Sequence, residues 1–393
     1  MSSKDDIVLI STADWDNPFW TNKQHVAVEL ARRGHKVLYV DSLAIRQPSA
    51  SGADLKRILR RVRRGLAGPR KVRENLWVWS PLILPLHRYP WVVRLNRLLL
   101  RVGLSRCLAS ADMKPELCWT YNPRTHDLIK LDKFARVVFH CVDEIKAQPD
   151  MPVAELERAE REMVKRSDLC FVTSQHLLDT RRAWNENTHY FSNVADFSHF
   201  QTAMEDSVGV HDELARIPGP RIGFIGALSA YKVDFELIAE MARRNPEWSI
   251  VLIGKVGEGE RNTDVSRLQQ HANIHLLGPR AYGDLPAYLK GLDVAILPCQ
   301  INDYTRAMFP MKFFEYLAAG KPVVSTNLHA LQNYGHVAQL AETHDAFIEA
   351  VAAALRGESA TLDARLEVAR EQTYEMRTQK MLDLIYRGSQ EHA

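Results

Sequence analysis

Eighteen residues, Phe309 to Thr326 (FPMKFFEYLAAGKPVVST), constrain this chain most, because one short run holds a helix start, a helix stop and a buried strand. Pro310 suits the first turn of a helix, where its missing N–H has no partner to lose, and Gly320 suits the position just past the end. Phe313, Phe314, Leu317, Ala318 and Ala319 leave that helix little exposed face, and the run 322–326 has the composition of a strand buried on both faces of a parallel sheet. Lys312 adds a cation where a helix start already favours anions, and Glu315 follows on the same face. Two readings stay open at this point: a solvated ion pair, or a nucleotide diphosphate at the helix start with Glu315 accepting hydrogen bonds from a ribose.

The rest of the 393 residues repeats this alternation. Strands are expected at 7–10, 36–40, 117–121, 136–142 and 169–173, with helices at 24–33, 153–166 and 176–185. A second set of strands is expected at 221–225, 249–253, 274–277, 294–297 and 322–326, with helices at 235–244, 265–271, 285–291 and 345–356, and another from about 362. Strand–helix–strand units imply parallel sheets with ligands at the carboxyl ends of the strands. The expected fold class is therefore α/β, two doubly wound, Rossmann-like parallel-sheet domains facing across a cleft. The boundaries fall at 1–200, a linker 201–220 ending in Pro218-Gly-Pro220, 221–374, and a last helix 375–393.

Chemistry-bearing residues sit where such sheets place ligands. Asp143 and Glu144 follow the strand 136–142, and His140 lies within it. Asp143 is a candidate general base if burial or a neighbour raises its pKa, and equally an ordinary loop or cap residue. A Gly-containing turn, 226–234, joins the strand 221–225 to the next helix, and Lys232 in it is a candidate to meet a phosphate. No GxGxxG dinucleotide fingerprint follows either first strand. Trp15 and Trp20, in the loop after the first strand, either pack on one another or form a platform for a sugar ring.

Charge is uneven. Between Leu55 and Ala111 fourteen Lys and Arg stand against the single acid Glu74, although the whole chain carries only +3. Leu55, Ile58, Leu59 and Val62 recur at helical spacing among six of these cations, and Leu95, Leu98, Leu99 and Val102 do so beside Arg94, Arg97 and Arg101. With Trp77, Trp79, Leu82, Ile83, Leu84, Tyr89 and Trp91 between them, the segment 55–111 reads as membrane-facing, toward anionic lipid. Two packed helices with solvated basic faces is the plainer alternative. No nucleic-acid motif appears. Five scattered cysteines without ligand spacing argue against disulfides and structural zinc. A polar start and no long apolar run point to a cytoplasmic protein, peripheral at the inner face of the cell membrane.

Several segments resemble the GT-B glycosyltransferases, most closely their large family-4-like group: 274–279 (IHLLGP), 293–298 (DVAILP), and Pro310-x-Lys312-x-x-Glu315 followed by YLAAG and Lys321-Pro322. Less specifically, 139–144 and 193–196 look similar as well. The resemblance implies a nucleotide-diphosphate sugar bound by the C-terminal domain and a lipid-linked or polysaccharide acceptor bound by the N-terminal one. Carried over by position, it implies Glu315 on the ribose, Lys312 and Lys232 on the diphosphate, the Gly226 turn beside the phosphates, and Asp143 nearest the acceptor hydroxyl, with His140 a weaker substitute. No metal or other cofactor is implied. Retaining members carry a second glutamate eight residues before the ribose-binding one, where this chain has Ala307. Tyr304, Arg306, Asp303 and Met311 are the nearby residues left to complete the donor site. A catalytically silent GT-B scaffold binding nucleotide and membrane, or a nucleotide-sugar epimerase, are the alternative functions.

Overall fold

The computed structural model describes residues 4–17, 20–43, 68–84, 89–149, 151–257, 260 and 263–387. The expected basic helix at 55–64 lies outside them. The first half contains β1 (Asp6–Ile10), α1 (Asn22–Arg32), β2 (Val37–Val40), β3 (Arg70–Arg73), β4 (Leu76–Trp79), α2 (Pro90–Ser110), β5 (Pro115–Thr120), β6 (Arg136–Cys141), α3 (Val153–Arg166), β7 (Leu169–Val172), α4 (Gln175–Arg182) and β8 (Thr188–Tyr190). These strands form an 8-stranded sheet in the order β3-β4-β2-β1-β5-β6-β7-β8, parallel except for the edge pair β3–β4. Its chain order reverses between β1 and β5, which places a crevice outside their carboxyl ends.

The second half follows with α5 (Phe197–Gln201), β9 (Arg221–Ile225), α6 (Phe235–Arg244), β10 (Ser249–Ile253), β11 (Ile274–Gly278), α7 (Leu285–Lys290), β12 (Val294–Leu297), α8 (Lys312–Ala318), β13 (Val323–Thr326), β14 (Gln339–Ala341), α9 (His344–Leu355), α10 (Leu362–Glu371) and α11 (Tyr374–Arg387). Its 6-stranded sheet runs β11-β10-β9-β12-β13-β14, parallel throughout, with the switch between β9 and β12. That is the strand order of a dinucleotide-binding sheet.

Three apolar clusters follow from this layering. One fills the second domain, and one lies on each face of the first sheet. Met381, Leu382 and Ile385 of α11 belong to the same cluster as Val26, Ala27 and Leu30 of α1, so the last helix completes the first domain's core. Where the chain leaves and re-enters that domain the two strands of backbone touch: the Ala195 N–H donates to the Gln372 carbonyl at 3.0 Å.

The segment 55–111 departs from expectation. Trp77 and Trp79 are not interfacial side chains beside a membrane helix but residues of β4, which pairs in parallel register with β2. Trp79 and Ile83 are core residues. The turn at Asn75, with φ 57°, reverses the chain out of the basic edge strand β3 and into β4. The helix after Pro310 starts at Lys312, two residues late, but ends as its sequence dictates. Gly320 takes φ 74°, its N–H donates to the Leu317 carbonyl and that of Lys321 to the Tyr316 carbonyl, a paired C-terminal cap.

Candidate functional site

The second sheet builds one wall of the candidate site. At the end of β9, Gly226 lies against Gly254, whose backbone φ of 156° and 1.8 Å approach of a would-be Cβ to the Gly226 oxygen leave room for no side chain. Lys232, in the turn between β9 and α6, has its Nζ 5.2 Å and 5.3 Å from the ring centroids of Tyr231 and Tyr304. It forms no ion pair among the described residues, so the two rings hold a cation with its charge unmatched. Arg306 points elsewhere: its side chain is 59% exposed and pairs loosely with Asp303 at 3.9 Å. Met311 precedes α8 and is half-buried.

Lys312 and Glu315 form an ion pair of 2.6 Å, but not the solvated one that spacing alone allows. The Glu315 side chain is 4% exposed. Burial pushes its carboxyl above the ordinary range, against the opposing pull of Lys312. Among the described residues Lys312 is its only hydrogen-bond partner, so a carboxylate with two oxygens is left with acceptor capacity to spare. Ala307, at the position of the absent glutamate, is fully buried and grouped with the apolar cluster of the first sheet.

The opposite wall is the carboxyl edge of the first sheet. Asp143 lines a recess with Thr12, Tyr121, Pro123, Lys146 and Glu160. Its carboxylate has no hydrogen bond or ion pair among the described residues. The neighbouring Glu144 is instead consumed by structure: Arg181 of α4, 1% exposed, reaches Glu144 at 2.7 Å and Glu160 of α3 at 2.9 Å. His140 is not beside Asp143 in the recess. It is fully buried in an aromatic cluster, stacked on Tyr121 at 4.8 Å, with neither ring nitrogen hydrogen-bonded. Burial first, and then the charges of Arg377 and Lys23, hold it neutral, well below the usual imidazole range. Among the described residues no hydrogen-bonded relay joins it to Asp143.

Trp15 packs against Trp20 and Tyr39, both at 5.2 Å, and is buried, so the tryptophans pack locally. The residues that sequence reasoning missed lie behind the two walls. Lys23, in the first turn of α1, is 8% exposed and stands over the Tyr121 ring at 5.7 Å. Arg377 of α11 is 4% exposed and donates to the Ser192 carbonyl at 2.9 Å and to Asn22 Oδ1 at 2.7 Å. Asn22 donates to Asn193, which donates in turn to the Phe309 carbonyl at 2.6 Å. This buried chain of bonds joins α1, the crossover and the approach to α8. His25 stacks on Tyr374 at 4.2 Å beside it.

Comparison with known proteins bears on the same halves. Residues 219–366 match the family described as glycosyl transferases group 1. The putative teichuronic acid biosynthesis glycosyltransferase TuaH of Bacillus subtilis (strain 168) is 31% identical over 241 residues, 56% of this chain and 58% of that protein. The match thus spans little more than half the length of that relative. Among solved structures, sucrose-phosphate synthase from Thermosynechococcus elongatus aligns with a TM-score of 0.70 at 15% identity, over 99% of this chain and 100% of the other. HepE from Anabaena, solved in complex with UDP and glucose, aligns with a TM-score of 0.66 at 15% identity, over 98% and 100%.

Proposed function

We propose that this chain, which takes the GT-B fold and carries a group 1 glycosyl transferase domain at residues 219–366, moves a sugar from a nucleotide diphosphate to an acceptor hydroxyl. The observation that carries the reading is Glu315, a carboxylate withdrawn from water that keeps acceptor capacity beyond its one lysine partner. Ribose hydroxyls satisfy such a group, because charge-assisted hydrogen bonds in a dry site are the strong ones. Lys312 then faces the diphosphate, Lys232 offsets charge on the departing group from its aromatic cradle, and the Gly226–Gly254 contact gives backbone access. Across the cleft Asp143, the carboxylate without a partner, takes the proton of the attacking hydroxyl.

The donor is a uridine nucleotide in the first instance, since HepE is solved with UDP. The acceptor is a growing polysaccharide or its lipid-linked precursor, a reading supported by TuaH's printed role in teichuronic acid biosynthesis. An anionic membrane surface fits the basic segment, and no described helix is long and apolar enough to cross a membrane. Titrating the full chain with UDP by calorimetry tests the donor site. Glu315→Ala is expected to weaken binding by about tenfold to a hundredfold, the worth of one or two hydrogen bonds to a charged group. Unchanged affinity overturns the assignment.

A further inference from the structure

Among the described residues, Lys23 and Arg377 are two buried basic groups with no carboxylate bonded to either. Arg377 spends its donors on neutral oxygens, the Ser192 carbonyl and Asn22 Oδ1, and among the described residues its Nε has no partner. Lys23 donates to nothing among the described residues. The charge of Asp143 bears on Lys23, yet among the described residues no ion pair joins them. Beside Lys23, whose amine lies over the Tyr121 ring, the Tyr121 hydroxyl and both nitrogens of the stacked His140 are also buried and, among the described residues, unpartnered. A protein interior does not hold unpaired cations and idle donors cheaply. An anion beside Lys23 would satisfy these groups, and Tyr121, whose ring lies under the Lys23 amine, also lines the recess of Asp143.

We propose that Lys23, backed by Arg377 and Tyr121, receives an oxyanion carried by the acceptor, a carboxylate or a phosphate, while the adjacent hydroxyl of the same acceptor lies against Asp143. The acceptor is thereby acidic, and its charge sets which of its hydroxyls meets Asp143. This rests on the reading of the Asp143 recess as the acceptor side, but not on the donor assignment.

The test uses the full chain, with and without saturating UDP, titrated with glucuronate, glucose 6-phosphate and glucose as the neutral control. Both charged sugars are expected to bind more tightly than glucose in either condition, and whichever is tighter names the source of the oxyanion. Lys23→Met is expected to weaken the charged sugars by about tenfold, as for one lost charged hydrogen bond, and to leave glucose and UDP unchanged. It is also expected to raise the melting temperature, because it removes an uncompensated buried charge. Equal binding of charged and neutral sugars, a loss of UDP affinity alone, or a fall in melting temperature overturns the proposal. If Lys23→Met does not fold, the same titrations on Lys23→Gln decide. A chain that fails to bind UDP but discriminates charge through Lys23 sinks the donor assignment and leaves this one standing.

Discussion

At the scale of single residues, function and stability pull the buried polar groups in different directions. Asp143 and His140 lie three residues apart, and only the former opens into the recess. Asp143→Asn is expected to cut turnover by about a hundredfold or more at saturating donor. His140→Phe keeps the aromatic packing, removes two unsatisfied nitrogens, and is expected to stabilise the fold by about 1–2 kcal/mol in urea unfolding with turnover retained. His25 carries a pH signature. Burial is the main cause that lowers its pKa to about 4, while in the unfolded chain it titrates near the usual imidazole value. The folded state binds fewer protons between those limits, so the contribution is complete above about pH 6.5 and is lost as pH falls toward 4. His25→Phe, which keeps the stack on Tyr374, is expected to flatten the decline in unfolding free energy over that window by up to about 3 kcal/mol relative to the wild type.

At the scale of elements, α2 carries a cluster of exposed apolar side chains on its outer face. Trp91, Leu98 and Val102 are 60%, 58% and 42% exposed, with Arg94 and Arg101 interleaved on the same face. Apolar side chains ringed by cations fit the headgroup boundary of an anionic bilayer. Replacing Trp91 and Leu98 together by serine is expected to reduce co-sedimentation with phosphatidylglycerol vesicles severalfold at low salt, while binding to neutral vesicles stays at background in both proteins. Unaltered sedimentation argues for solvated packing instead. Elements also set what could be read in advance. The run after Pro310 announced its cap because Gly320 occupies the left-handed position it needs. The β3–β4 hairpin is hidden because Lys and Arg dominate the edge strand and the short alternation of β4 reads equally as interfacial aromatics. β14 has three residues, too few for any period to register.

At the scale of the whole molecule, the two sheets meet through Asn193, which bonds Asn22 of the first domain and the Phe309 carbonyl of the second. Asn193→Ala strands a buried carbonyl and is expected to cost about 1–3 kcal/mol, and to broaden the distance distribution in small-angle scattering of the nucleotide-free protein. An unchanged distribution would show that the seam does not set the domain angle. None of this was legible from one sequence. The doubly wound order followed from alternation, and Lys312 and Glu315 from their spacing. Lys23 and Arg377, however, owe their character to burial among residues far apart in the chain, and in sequence each reads as an ordinary charge on an amphipathic helix. The return of α11 has a practical corollary. The chain passes between the halves twice, side by side at Ala195 and Gln372, and Tyr386 donates a hydrogen bond to Asp5 at 2.9 Å. A protease that nicks the connection between α5 and β9 therefore leaves two fragments that still copurify, and fluorescent labels at residues 5 and 386 would be blind to opening of the cleft.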